Sequence, residues 1–235
     1  MPSVLRRPGD VPPPAAPTWR WWEASAVFAA GYLGGDLLRA RLQLGRDAGI
    51  VLVEGIWTAL LLAWLIARHP GWVRSVGWPR HPWEEAREAA VFGAILYGVV
   101  ALAVALPLSR AIGRGGGAIG PPQGPPASAV GLPVDLGSAL LVAPAAEELF
   151  FRGLLFRALR HRFGTTPAAA ASALAFGLVH LSRGDPVGSV VPVAVAVCLG
   201  LGLALLYERR GNLLAPVAAH AAFNAVGVLV LLTRA

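Results

Sequence analysis

Seven long apolar stretches, at about 21–38, 48–67, 87–108, 134–157, 166–182, 187–207 and 213–232, follow one another along the chain. No other feature limits the fold as tightly. A helical run of roughly 20 apolar residues matches the ~30 Å hydrocarbon core of a bilayer. A helix also satisfies its own backbone N–H and C=O groups, which lipid cannot do. The succession of runs therefore predicts an all-α fold, a polytopic transmembrane bundle of about seven helices, within a range of six to eight. The fifth run is short and is expected not to span fully.

Composition agrees. The chain is 56% hydrophobic and 14% charged, where a soluble domain carries about 25% charged residues. Its 28 Gly and 20 Pro sit largely among Ala, Val and Leu, and both are more frequent in membrane helices than in soluble ones. All 20 basic residues are Arg, and the net charge is +7. Arg clusters in the gaps between runs and forms no stripe interleaved with aromatics, which argues against nucleic acid as a partner and for membrane lipid. The N-terminus and the gaps on its side carry 12 Arg, against 7 on the other side. By the positive-inside bias this predicts a cytoplasmic N-terminus. The Arg-only, Ala-rich composition points to the cytoplasmic (inner) membrane of a bacterium. The single Cys198 excludes an internal disulfide and a Cys-based metal cluster.

The chain divides into four parts. Residues 1–18 are Pro-rich and are expected to form a disordered cytoplasmic lead; a cleaved signal peptide is not expected, because the first apolar run starts late. Residues 19–112 hold the N-terminal membrane helices, with Trp19, Arg20, Trp21 and Trp22 expected as an interfacial belt. Residues 113–133 read as a Gly/Pro-rich linker, and 134–232 hold the remaining helices. Residues 68–87 mix Trp, Pro, Arg and Glu, as a headgroup-level loop does. No internal repeat marks a transporter built from two matching halves.

The sharpest polar anomaly is Pro144-Ala-Ala-Glu147-Glu148-Leu-Phe-Phe-Arg152, inside the fourth run. Each charge at membrane depth costs at least ~2.5 kcal/mol on insertion scales. Glu148 and Arg152 are i,i+4 and can pair on one helix face. Glu147 lies about 100° around the helix, without a local cation. The bland reading is a buried ion pair that only fixes packing; the sharper one is a carboxylate free for general-base work. Downstream, Phe176 and His180 share a face of the fifth run, and His220 and Asn224 share a face of the seventh. A lone membrane His is commonly a packing residue, but three helices presenting Glu, His, and His with Asn form a set. Glu23, Asp36 and Glu54 lie near run ends or early in a run and read as snorkelling or packing residues. His69, His81 and His161 fall in loops and read as headgroup contacts.

This inventory supports two versions of peptide hydrolysis. Glu147 and His180 could hold and deprotonate a water while His220 and Asn224 donate to an oxyanion, without a metal. Alternatively Glu147, His180 and His220 could ligate Zn²⁺ and leave a position open for water. The metal-free version is preferred, because Asn224, the helical partner of His220, is a poor zinc ligand and a good oxyanion donor. No G-x-S-x-G motif is present, and Cys198 has no nearby His.

The three motifs Glu147-Glu148-x-x-x-Arg152, Phe176-x-x-x-His180 and His220-x-x-x-Asn224 resemble those of the CPBP family. That group includes the CAAX prenyl endopeptidases and the Abi, or bacteriocin-processing, membrane proteins. Gly200-Leu-Gly202, Tyr207-Glu208-Arg209 and Gly211-Asn212-Leu213 extend the likeness, which covers about 134–232. The resemblance implies an intramembrane endopeptidase acting on a membrane-associated protein or peptide. It places Glu147, His180, His220 and Asn224 at the site, supported by Glu148, Arg152 and Phe176. The alternatives are a non-proteolytic scaffold or immunity protein and a proton-coupled transporter. One point of tension is depth, since successive antiparallel helices put His180 nearer the outer surface than Glu147.

Overall fold

The computed structural model describes residues 16–113, 133, 136–181 and 185–233, with the backbone alone at Arg46 and Asp47. The expected lead falls almost wholly outside these residues, as does the expected linker. Eight helices form among the described residues: α1 Trp21–Arg41, α2 Arg46–Arg68, the short α3 Trp72–Val76, α4 Pro82–Ala111, α5 138–163, α6 Thr165–Leu178, α7 Val190–Arg210 and α8 Leu214–Leu232. Among the described residues each of the seven apolar runs falls largely on a helix, and α3 sits in the loop between the second and third. Ala48–Arg68, α4, α7 and α8 are long and apolar enough to cross a membrane. The protein is an integral membrane protein.

Small residues set the closest helix contacts, as they do where lipid offers no hydrophobic drive to pack helices together. A Cβ on Gly93 of α4 would run into the carbonyl of Ala219 on α8, so the two backbones touch beside His220. Tyr97 and Phe223 pack edge to face one turn further along, with ring centroids 5.2 Å apart. Gly31 of α1 abuts the Trp57 backbone of α2, and Gly177 of α6 abuts Val197 of α7. The α1–α2 hairpin joins the rest of the bundle by stacking Phe28 on Phe150, 4.2 Å between centroids.

Two loop readings change. Trp19 is not part of an interfacial belt. It is buried, donates from Nε1 to the Leu154 carbonyl at 3.1 Å, and lies under the Arg157 guanidinium. Trp21 and Trp22 are about half exposed. His69 has protein partners too: partly exposed, it packs edge-on between Trp19 and Trp64 and hydrogen-bonds Thr18. Both residues tie the start of α1 to the ends of α2 and α5.

At the other junction, Gly211 adopts φ +65°, a left-handed turn that stops α7. Asn212 Oδ1 then accepts the Ala215 N–H at 3.0 Å and starts α8. This Gly-Asn pair fixes where α8 begins, and hence the height of His220, two turns in.

Candidate active site

Helix α5 is not uniform. Residues Ser138–Val142 and Leu149–Phe156 are π-helical and flank the α-helical Ala143–Glu148. Such insertions are frequent at functional sites, and here the first has a local cause. In the wide turn the Ala143 N–H bonds the Ser138 carbonyl, five residues back. The next donor in that pattern would be residue 144, but Pro144 has no N–H. The Ala139 carbonyl therefore lacks its helical partner, and Asn224 Nδ2 of α8 donates to it at 2.8 Å.

The expected Glu148–Arg152 pair forms, and both side chains are fully buried. Arg152 Nη1 lies 2.8 Å from Glu148 Oε1. The same carboxylate oxygen takes a second bond, 2.9 Å from His220 Nδ1. Arg152 Nη2 donates to the Gly200 carbonyl of α7 at 3.0 Å, and its guanidinium lies 4.6 Å from the Phe176 ring centre. A cation this deep in a bundle needs such partners, because an unpaired buried charge is strongly destabilising. One Arg thus joins α5, α6 and α7, and Glu148 joins α5 to α8.

Glu147 points differently. Its side chain is 22% exposed, and Oε2 lies 3.8 Å from His220 Nε2. That gap is too long for a hydrogen bond but admits an oxygen atom touching both groups. His180 donates from Nδ1 to the Phe176 carbonyl at 2.8 Å. The bond fixes the tautomer and leaves Nε2 as an acceptor when the ring is neutral. Phe176 stands between the two imidazoles, 4.9 Å from His180 and 5.6 Å from His220 between ring centres.

The tension over depth has a geometric answer. Helix α6 has 14 residues, about 21 Å at 1.5 Å per residue, against a ~30 Å hydrocarbon core. It stops short and leaves His180 in the turn beside Phe176, so all three motif segments meet. Among the described residues, no group of three His, Cys, Asp or Glu is arranged to hold a metal ion.

Two residues outside the motifs also reach this region. Ser138 Oγ donates to Glu54 Oε2 at 2.7 Å, and Glu54 interacts electrostatically with Glu147. Glu54 lies well inside α2, away from either end, so it is no snorkelling residue. An acid within a membrane run is a functional candidate by default, and that signal was available in the sequence. Ser138 carried none, since a small hydroxyl in an apolar run is common.

Fold and site define a class: a helical integral membrane protein whose ionisable groups are gathered inside the bundle. Residues 129–226 match the family model described as type II CAAX prenyl endopeptidase Rce1-like. This segment carries all three motifs and is similar to that family, and the match supports a CAAX-type intramembrane protease in general terms. No curated protein and no solved structure gives a significant match.

Proposed function

We propose that the protein is an intramembrane endopeptidase that hydrolyses a peptide bond of a membrane-associated protein or peptide with a Glu/His-activated water. The observation that carries this reading is the unequal treatment of two adjacent glutamates. Glu148 is buried and bonded to Arg152 and His220, whereas Glu147 is partly open and faces His220 Nε2 across 3.8 Å. A packing ion pair accounts for Glu148 alone and leaves Glu147 without a purpose.

The roles follow from donor and acceptor chemistry. Glu147, as general base, takes a proton from a water that also bonds to His180 Nε2. The hydroxide oxygen attacks the carbonyl carbon, and the carbonyl becomes an oxyanion. His220, its Nδ1–H held by Glu148 and its ring protonated, donates from Nε2 to that oxyanion, and the Asn224 amide supplies a second donor. The C–N bond then breaks as Glu147 returns the proton to the departing amine. No step calls on a metal. The matching family is one of CAAX prenyl endopeptidases, which supports a substrate held at the membrane.

The test is a peptide-cleavage screen of the purified protein in detergent or lipid, run beside Glu147→Ala. Products from the wild type alone are expected. Identical product profiles from the two proteins would defeat the reading.

A further inference from the structure

We infer that Glu54, in the N-terminal hairpin, is a positioning residue of the active site that acts through Ser138 on Asn224. The inference rests on the reading of Asn224 as an oxyanion donor. The juxtaposition is specific. Ser138 and Ala139 are consecutive residues of the wide turn that opens α5. Ser138 Oγ donates to Glu54 Oε2 of α2 at 2.7 Å, and the Ala139 carbonyl accepts from Asn224 Nδ2 of α8 at 2.8 Å. One turn of backbone is thus held from both sides, by an acid from one helix and an amide from another.

This turn needs holding. A π-helical turn is rare and occurs mostly as a single-turn bulge, and Pro144 removes the backbone bond that would close it at Ala139. Asn224 has two amide hydrogens. One is bonded to Ala139, and that bond sets the plane from which the second projects. A shift of the turn therefore rotates the donor aimed at the reaction. Misplacements of about 1 Å can cost ~10²-fold in rate.

The bond is also costly enough to call for a reason. A carboxylate within a membrane helix is disfavoured. Joining the hairpin to α5 by packing alone would need no acid, and α1 already packs on α5 through Phe28 on Phe150. Ser138 is buried and Glu54 half-buried, and Glu54 lies within electrostatic reach of Glu147. Glu54 thereby brings the N-terminal helices, which lie outside the family match, into the site.

The test is a double-mutant cycle on cleavage by the full chain in lipid, with kcat and KM measured separately. Glu54→Ala and Ser138→Ala, which break the same bond from opposite ends, are each expected to lower kcat by about 10- to 100-fold with KM nearly unchanged. Glu54→Gln keeps an acceptor for Ser138 and is expected to recover most of that loss. In an Asn224→Ala background, Glu54→Ala should cost almost nothing further, because the donor it positions is gone. Additive losses in that cycle, or a Glu54→Gln variant as impaired as Glu54→Ala, would overturn the assignment. Hydrogen exchange of the segments 136–146 and 218–228 gives a readout that needs no activity. Glu54→Ala should speed exchange in both segments and Glu54→Gln in neither. A wild type that cleaves nothing but shows this exchange pattern would remove the protease reading and keep Glu54 as a positioner of Asn224. Unchanged exchange in both segments would remove Glu54 from the site whatever the enzyme does.

Discussion

At Glu148 one carboxylate oxygen serves two donors, Arg152 and His220, while both Glu148 and Arg152 are fully shielded from solvent. Removing its charge strands a guanidinium in the bundle. Glu148→Gln is therefore expected to destabilise by about 3–5 kcal/mol, the usual penalty for breaking a buried pair from one side. Thermal unfolding in detergent measures it, and an unshifted midpoint would show that Arg152 finds another anion. Glu147 has no such structural duty. Glu147→Gln should fold and melt like the wild type yet fail to cleave. If Glu148→Gln folds well and is the inactive variant, the two roles are reversed. Asn224→Ala should lower kcat by about 10²–10³ with KM nearly unchanged, the typical effect of removing one oxyanion donor. A loss confined to KM would make Asn224 a substrate-binding residue instead.

At the scale of single helices, Pro144 is the instructive case. It occurs in the same apolar run as the paired glutamates, and its missing N–H leaves the Ala139 carbonyl open to Asn224. Pro144→Ala restores a backbone donor. The turn can then close on itself and compete with Asn224, so the helix should be at least as thermally stable while kcat falls about 10²-fold. Unchanged cleavage by that variant would show that the open carbonyl is incidental to catalysis. The helices themselves were legible in the sequence, because lipid forces every spanning segment to satisfy its backbone internally and leaves long apolar runs as the trace. The Glu148–Arg152 pair was legible for the same local reason, an i,i+4 spacing on one helix. The links His220–Glu148, Asn224–Ala139 and Ser138–Glu54 were not, since each joins residues more than 70 positions apart. Spacing along a chain fixes which residues share a helix face. It does not fix which faces meet. The short α6 shows the converse: its length was read correctly as insufficient to span, but its consequence, bringing Phe176 and His180 beside His220, depends on how the bundle packs.

For the whole molecule, sidedness and metal content are the properties that the residue-level chemistry constrains. The start of α1, the ends of α2, α5 and α7, and the starts of α4, α6 and α8 share one Arg-rich side if the seven long helices alternate in direction. In a Cys198→Ala background, a probe that cannot cross the membrane should label Gln43→Cys in intact cells and leave His161→Cys unlabelled until the cells are opened. The reverse pattern would invert the molecule. Metal content follows from how the donors are oriented. Zinc binds His nitrogen and carboxylate oxygen at about 2.0–2.2 Å and needs three protein ligands at a catalytic site. Glu147 Oε2 and His220 Nε2, 3.8 Å apart, approach the spacing for two. Among the described residues no group of three His, Cys, Asp or Glu is placed to hold a metal ion, and the helical partner of His220 is an amide bonded to a backbone carbonyl. Active, purified protein is therefore expected to carry no stoichiometric zinc by mass spectrometry and to keep its activity through a chelator titration. A metal site would behave otherwise: chelators would inactivate it reversibly and added Zn²⁺ would restore it. Stoichiometric zinc together with zinc-restored cleavage would make Glu147, His180 and His220 ligands, and His220 could then no longer serve as the oxyanion donor.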